Sequence, residues 1–161
     1  MALKREIDPI ARFMQDHDRA LVQLAALNRA TRAIVEEGFA DDEFRKVEQA
    51  MAFIREEVSV HNASEEDALF PVLERYVEGP TRLMRRDHRT LKKEFDRLQK
   101  AVVKVSKNRS SVKAGAELAE TARSVVQIFV NHIHKENYIL FPLVQKFLTK
   151  DALREVARRM V

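Results

Sequence analysis

Apolar residues recur at three- and four-residue intervals along almost the whole chain, and no stretch alternates with period two long enough to suggest a sheet. Asp8-Pro9 reads as a cap followed by proline at the first helical position. The stripe Ile10, Phe13, Leu21, Leu24, Leu27, Ile34 carries a helix from there to about Glu37. Asp41 or Asp42 is expected to cap a second helix on Val47, Met51, Ile54, Val58, Ala68 and Leu69, which must kink or stop at Pro71, with a turn or two continuing towards Tyr76. After the break Gly79-Pro80-Thr81, a third helix follows from about Thr81 to Val105 on Met84, Leu91, Phe95, Leu98 and Val102. The polar loop Lys107 to Ser111 ends it. A fourth helix, about Val112 to Phe147, uses Leu118, Val125, Ile128, Phe129, Ile139, Leu140 and Leu143, and a short one from Asp151 to Met160 closes the chain. The fold expected is all-α: an antiparallel up-down-up-down four-helix bundle with a short C-terminal helix.

At 161 residues and 45% hydrophobic content the chain has room for one domain, spanning 1–161. No window approaches the roughly 18 apolar residues of a membrane span, and Met1 to Ile10 holds no apolar h-region, so a cytoplasmic location without membrane contact is expected. There are no cysteines, which leaves histidine and carboxylate as the side chains able to hold a metal. Residues 75–113 carry 13 basic against 4 acidic side chains. The group Arg82, Arg85, Arg86, Arg89, Lys92, Lys93, Arg97 and Lys100 could attract an acidic partner, but its one aromatic, Phe95, belongs to the apolar stripe and offers no stacking face among the charges, so it reads as a solvated helix face rather than a nucleic-acid site.

An internal repeat changes this picture. His17 recurs 71 residues on as His88, His61 as His132 and Glu65 as Glu136. The segment from His61 to Pro71 aligns without gaps on that from His132 to Pro142 with five of eleven positions identical, and Asp16-His17 aligns on Asp87-His88. Each half, about 8–76 and 81–147, is then a helical hairpin with one His on its first helix and His-x-x-x-Glu on its second. His17 and His61 straddle residue 39 in the expected turn, and His88 and His132 straddle residue 110 in the loop. At about 1.5 Å per residue each pair sits level, on the order of 30 Å from its turn. The i, i+4 spacing puts His61 with Glu65, and His132 with Glu136, on one face, and that face is the apolar one.

Four imidazoles and two carboxylates among Leu, Ile, Phe and Val are costly unless a cation offsets the buried charge. Bundle cores with carboxylate and His from facing helices are where two-iron sites are built. Two metals roughly 3.5 to 4 Å apart suit the symmetry. Each takes two histidines, Glu65 and Glu136 bridge them, and an oxo or hydroxo group completes five ligands with one position open. Glu66 turns about 100° off the ligand face and is left out, and His134, whose counterpart is Ala63, is assigned to solvent. Asp16 and Asp87 read as helix-surface charge, with orientation of a neighbouring imidazole as the alternative. Lys92 is expected to snorkel, and Met84, Phe13, Phe129 and Phe141 to pack.

The constellation resembles the hemerythrin-like family, in particular its histidine-histidine-glutamate (HHE) cation-binding branch, of which Leu-Phe-Pro after each Glu is typical. The likeness runs from His17 to Pro142 and implies His17, His61, Glu65, His88, His132 and Glu136 as ligands of two iron ions. Oxygen carriers of the family have a fifth histidine four residues from the one on the third helix, and a carboxylate five residues after the last His. Here those places hold Met84 or Lys92, and the second Glu falls at i+4, which points away from reversible oxygen carriage. The four-His, two-Glu set is similar to peroxide-decomposing, catalase-like members, to proteins that repair iron centres under nitric oxide stress, and to an iron-sensing domain of an F-box ubiquitin ligase subunit. The function expected is action on a small oxidant (hydrogen peroxide, oxygen or nitric oxide), with peroxide decomposition favoured. The alternative is an iron or oxygen sensor or repair module without turnover.

Overall fold

In the computed structural model, residues 8–160 are described and form five helices, with no strand among them. Residues 1–7, most of the Met1–Ile10 stretch, lie outside the described residues. Helix α1 is Pro9–Glu37; α2 covers 41–73, α3 is Pro80–Lys107, α4 covers 112–147 and α5 is Lys150–Arg159. Asp8 caps α1, its carboxylate accepting from the Ile10 amide at 3.0 Å. Gly38 ends the helix at φ +89°, a conformation other residues seldom adopt, with its N–H on the Ile34 carbonyl. Ser111 caps α4 and Thr149 caps α5 in the same way as Asp8, through side-chain oxygens. The expected aspartate cap on α2 is corrected: Ala40 occupies that position, and Asp41, Asp42 and Glu43 form the first turn, where their charge favours the exposed amides.

Pro71 does not stop α2, which continues as the sequence allowed, for a turn to Leu73 and then as turns to Tyr76. The five residues before the Phe-Pro pair, Glu65–Leu69, form a π-helical turn in which the Phe70 amide reaches the Glu65 carbonyl, five residues back. Glu136–Leu140 does the same ahead of Phe141-Pro142 in α4. The widened turn relieves the clash between the proline ring and the carbonyl four residues back, so the chain continues as α-helix through Phe70–Leu73 and Phe141–Phe147. The extra residue also shifts the register. Ile139, assigned to the apolar stripe, is exposed, and Leu143 is only half-buried, while Leu140 and Val144 take the interior positions. Because the π-turn has already removed the bond proline would break, Pro142→Ala is expected to move stability by less than about 1 kcal/mol, against about 3 for proline inside an ordinary helix. Thermal unfolding checks this, and a loss near 3 would show that proline itself holds the turn.

α1 packs against α2 and α4, α3 against α4, and α5 against α1 and the Glu65–Leu69 turn. The apolar interior divides into two clusters. One holds Ala20, Leu24, Val58, Leu91, Leu118, Val125, Phe129 and Ile133; the other holds Ile10, Phe13, Leu69, Phe70, Met84, Leu140, Phe141 and, from α5, Ala152 and Val156. On every long helix the His or His-x-x-x-Glu falls at the junction of the two clusters, so a thin polar layer lies between two apolar ones. No described helix is long and apolar enough to cross a membrane. On the basic face of α3, Lys92 is exposed as expected; Arg85 pairs with Glu74, just after α2, and Arg97 with Glu94.

Candidate metal centre

The polar layer contains His17 from α1, His61 and Glu65 from α2, His88 from α3, and His132 and Glu136 from α4. All six are buried, and both glutamates are at 0% exposure. One ligand atom from each of His17, His61, Glu65 and Glu136 lies within 4.8 Å of the others, and the same holds for Glu65, His88, His132 and Glu136. Two four-residue groups therefore share both carboxylates. His17 Nε2 approaches His61 Nε2 to 3.2 Å, and His88 Nε2 approaches His132 Nε2 to 3.2 Å. Two nitrogens each about 2.1 Å from one ion stand about 3 Å apart, so each pair is spaced for a shared cation.

Every imidazole is fixed from its other side. His61 Nδ1 donates to Asp16 at 2.9 Å and His132 Nδ1 to Asp87 at 3.1 Å; His17 Nδ1 donates to Asn137 Oδ1 at 2.7 Å and His88 Nδ1 to Glu66 at 2.7 Å. In the neutral ring, a proton held at Nδ1 leaves Nε2 as the atom turned inward with a free lone pair. Asp16 and Asp87 are thus corrected from surface charge to acceptors for the histidine of the adjacent helix, the alternative named from the sequence. Their recurrence beside His17 and His88 was the signal. Glu66 and Asn137, one residue after each glutamate, were missed as acceptors because their partners lie in the opposite half of the repeat. His134 is exposed, its ring against Tyr138.

The phenylalanines of the two Leu-Phe-Pro segments clamp the same histidines. Phe141 stacks on His17 at 5.5 Å and 19°, and Phe70 on His88 at 5.9 Å and 18°. Each half's second helix thereby holds the ring of the other half's first-helix histidine, by a hydrogen bond one residue after the glutamate and a ring face five residues after it. Phe13 adds an edge contact to His61 at 5.2 Å.

The electrostatics of the side chains by themselves mark where charge in the cluster is unsatisfied. Glu65 Oε2 and Glu136 Oε2 have no hydrogen-bond partner, and Glu65 Oε1 stands 2.5 Å from His61 Nε2. Burial opposes a charge on His61, but the Glu65 carboxylate and Asp16 outweigh it and push the imidazole up to about 9. Burial likewise opposes a charge on Glu65, and His61 outweighs it, holding the carboxyl below its ordinary value. Burial pushes His132 down to about 4 and lowers His17, aided by their neighbouring imidazoles His88 and His61, so both are neutral and ready as donors. Unpartnered buried carboxylate oxygens beside an imidazole that holds its proton form a site a cation of higher charge would satisfy better. Since that proton sits on His61 up to about pH 9, cation binding near neutral pH is expected to release about one proton. Apparent affinity should then rise about tenfold per pH unit from about pH 7 to that limit. Co2+ binding measured across this range checks it, and a flat profile would mean that His61 is already neutral.

A cavity of about 20 Å³ lies against His17 and His61, bounded by Ala20, Phe53, Val58 and Phe129, with Asp16 and Glu57 also lining it. It fits one water or one diatomic molecule. Arg19 pairs with Glu57 beside it. Two departures from the repeat make room there. Ala20 stands where the second half has the fully buried Leu91, and Ile54–Val58 is a third π-turn whose counterpart, 125–129, is ordinary α-helix. A larger cleft of about 550 Å³, by Asp8, Lys150 and Arg158, shares no residue with the cluster.

A family model for the hemerythrin HHE cation binding domain matches residues 8–144. The chain belongs to that family. The match includes all six inward-facing residues and both Leu-Phe-Pro segments, and the buried His/Glu cluster is compatible with a metal site. No curated protein matches the chain. As a hemerythrin-like domain, the chain has, in the layer between its two apolar clusters, a His/Glu cluster that could hold a metal ion.

Proposed function

We propose that this chain is a single cytoplasmic domain, an antiparallel up-down-up-down four-helix bundle with an appended α5, that holds two iron ions and acts on a small oxidant, with hydrogen peroxide favoured. His17 and His61 would hold one ion and His88 and His132 the other, with Glu65 and Glu136 bridging. The observation that carries this reading is that both buried carboxylates belong to both four-residue groups. When bound, a pair of irons supplies and recovers two electrons per oxidant, which a single redox-inert cation cannot do.

The chain's own residues supply the rest. Asp16, Asp87, Glu66 and Asn137 keep the four imidazoles in one tautomer and orientation. The 20 Å³ cavity admits a peroxide- or diatomic-sized molecule and excludes larger reductants. Decomposition of two H2O2 to two H2O and O2 moves protons between the two molecules with no net uptake, so a carboxylate at the cavity suffices as a shuttle; Asp16 and Glu57 are the carboxylates there.

Protein purified without added metal is expected to carry two irons per chain with near-ultraviolet charge-transfer absorption. The iron-loaded protein should evolve oxygen steadily from hydrogen peroxide, and Glu65→Ala should abolish both properties. Turnover no faster than free iron would remove the peroxide reading. The sensing alternative is favoured by the orphaned oxygens of Glu65 and Glu136, which give metal loss a direct route to loosening the core. Large iron-dependent changes in protease resistance without turnover would establish it.

A further inference from the structure

The repeat that builds the cluster is broken at a position that touches a ligand histidine. One residue after the glutamate stands Glu66 in the first half and Asn137 in the second. Each accepts a hydrogen bond of 2.7 Å from Nδ1 of the facing first-helix histidine, Glu66 from His88 and Asn137 from His17. The geometry is the same and the charge is not. The remaining two acceptors are alike, Asp16 for His61 and Asp87 for His132. The His88/His132 half is therefore backed by two carboxylates, and the His17/His61 half by one carboxylate and one neutral amide.

A carboxylate on Nδ1–H draws the proton towards itself and leaves Nε2 a stronger donor than an amide does. One group works against this difference. Lys135 Nζ shares Asp87 Oδ2 at 2.9 Å, where the repeat-related residue is Ser64. Lys135 is half exposed, so solvent screens its charge and it offsets only part of the extra carboxylate. The cavity, lined by Ala20 where the other half has Leu91, lies on the Asn137-backed side. The half with the weaker backing is also the one open to small molecules.

We propose that Glu66 and Asn137 are positioning residues that make the two metal positions unequal. The His88/His132 position holds a divalent cation about 10- to 100-fold more tightly and fills first, and the His17/His61 position, beside the cavity, fills second and empties first. This rests on the paired-metal reading above.

Co2+ added to the metal-free full chain tests it. His17→Ala leaves the His88/His132 half to bind alone and His88→Ala leaves the other, so each affinity is read without repulsion from a second ion. The first variant should bind Co2+ about 10- to 100-fold more tightly than the second. Asn137→Glu should tighten binding in the His88→Ala background, and Glu66→Gln should loosen it in the His17→Ala background, each about tenfold or more. In the chain without either alanine, one equivalent of Co2+ should give hyperfine-shifted imidazole N–H resonances from His88 and His132, a readout independent of whether the variants fold. Equal affinities for the two halves, or one Co2+ spread evenly over all four histidines, would overturn the inequality and leave the paired-metal reading intact. A native chain that takes up only one Co2+ in excess metal would overturn both.

Discussion

Replacing Glu65 and Glu136 together by leucine is expected to raise the thermal midpoint of the metal-free chain and to abolish its stabilisation by metal. Both carboxylates are at 0% exposure, and one oxygen of each, Glu65 Oε2 and Glu136 Oε2, has no hydrogen-bond partner. Orphaned buried charge is destabilising, and exchanging a buried ionic set for apolar side chains of similar size is neutral to stabilising by about 1–4 kcal/mol. Leucine at these two positions would join Leu69, Leu140 and the apolar clusters on either side. Nor would it strand a cation, because the Glu65 carboxylate is what outweighs burial to keep His61 charged; without it the imidazole goes neutral. At 2–4 °C per kcal/mol for a chain of this size, the metal-free midpoint should rise by several degrees. The native chain should gain about 2.7 kcal/mol per site at a hundredfold excess of metal over Kd, and the double variant nothing. Calorimetry with and without Co2+ reads both signs. A metal-free midpoint that falls in the variant would mean that the carboxylates serve the fold rather than the cation.

That opposition between stability and binding explains why the cluster was legible in the sequence. Two glutamates at i+4 from histidines on otherwise apolar faces are too unfavourable to stand there for packing, and the 71-residue offset singled them out. Counting back from the two turns levelled the histidine pairs because α1 and α2, and α3 and α4, are joined by short connections. What the pattern could not supply was anything set by the rotation of one helix against another. Position along a helix fixes level and face, but which side chain meets Nδ1 of His17 depends on how α4 lies on α1, so Asn137 and Glu66 went unassigned. The π-turns escaped for a different reason. A widened turn before Pro71 and Pro142 satisfies the same backbone rule as a kink, and only the outward Ile139 betrays the inserted residue. The third, Ile54–Val58, contains no proline or glycine to mark it.

Phe141→Ala should be the most damaging single substitution around the cluster. The ring is 1% exposed, stacks on His17 at 5.5 Å, and lies 6.1 Å from Phe13, so it joins the ligand layer to the second apolar cluster. Truncation of a buried phenylalanine costs about 3–5 kcal/mol, part of it from the space left behind. Here that space would open directly beside an imidazole otherwise held by Asn137 at Nδ1 and by Glu136 Oε1, 3.2 Å from its Nε2. His17 would then be free to leave the Nε2-inward orientation, so the variant should lose metal at the His17/His61 position as well as stability. Phe141→Leu separates the two effects. It restores most of the apolar volume but no flat face, so stability should recover to within about 1–2 kcal/mol of the native chain while metal occupancy at that position stays reduced. Phe70→Leu should do the same to the His88/His132 position through the matching stack on His88. Chemical denaturation and metal content of the two leucine variants check the pair. Full occupancy in both would show that the hydrogen bonds to Nδ1 suffice to aim the histidines, and that the phenylalanine of each Leu-Phe-Pro segment contributes packing alone.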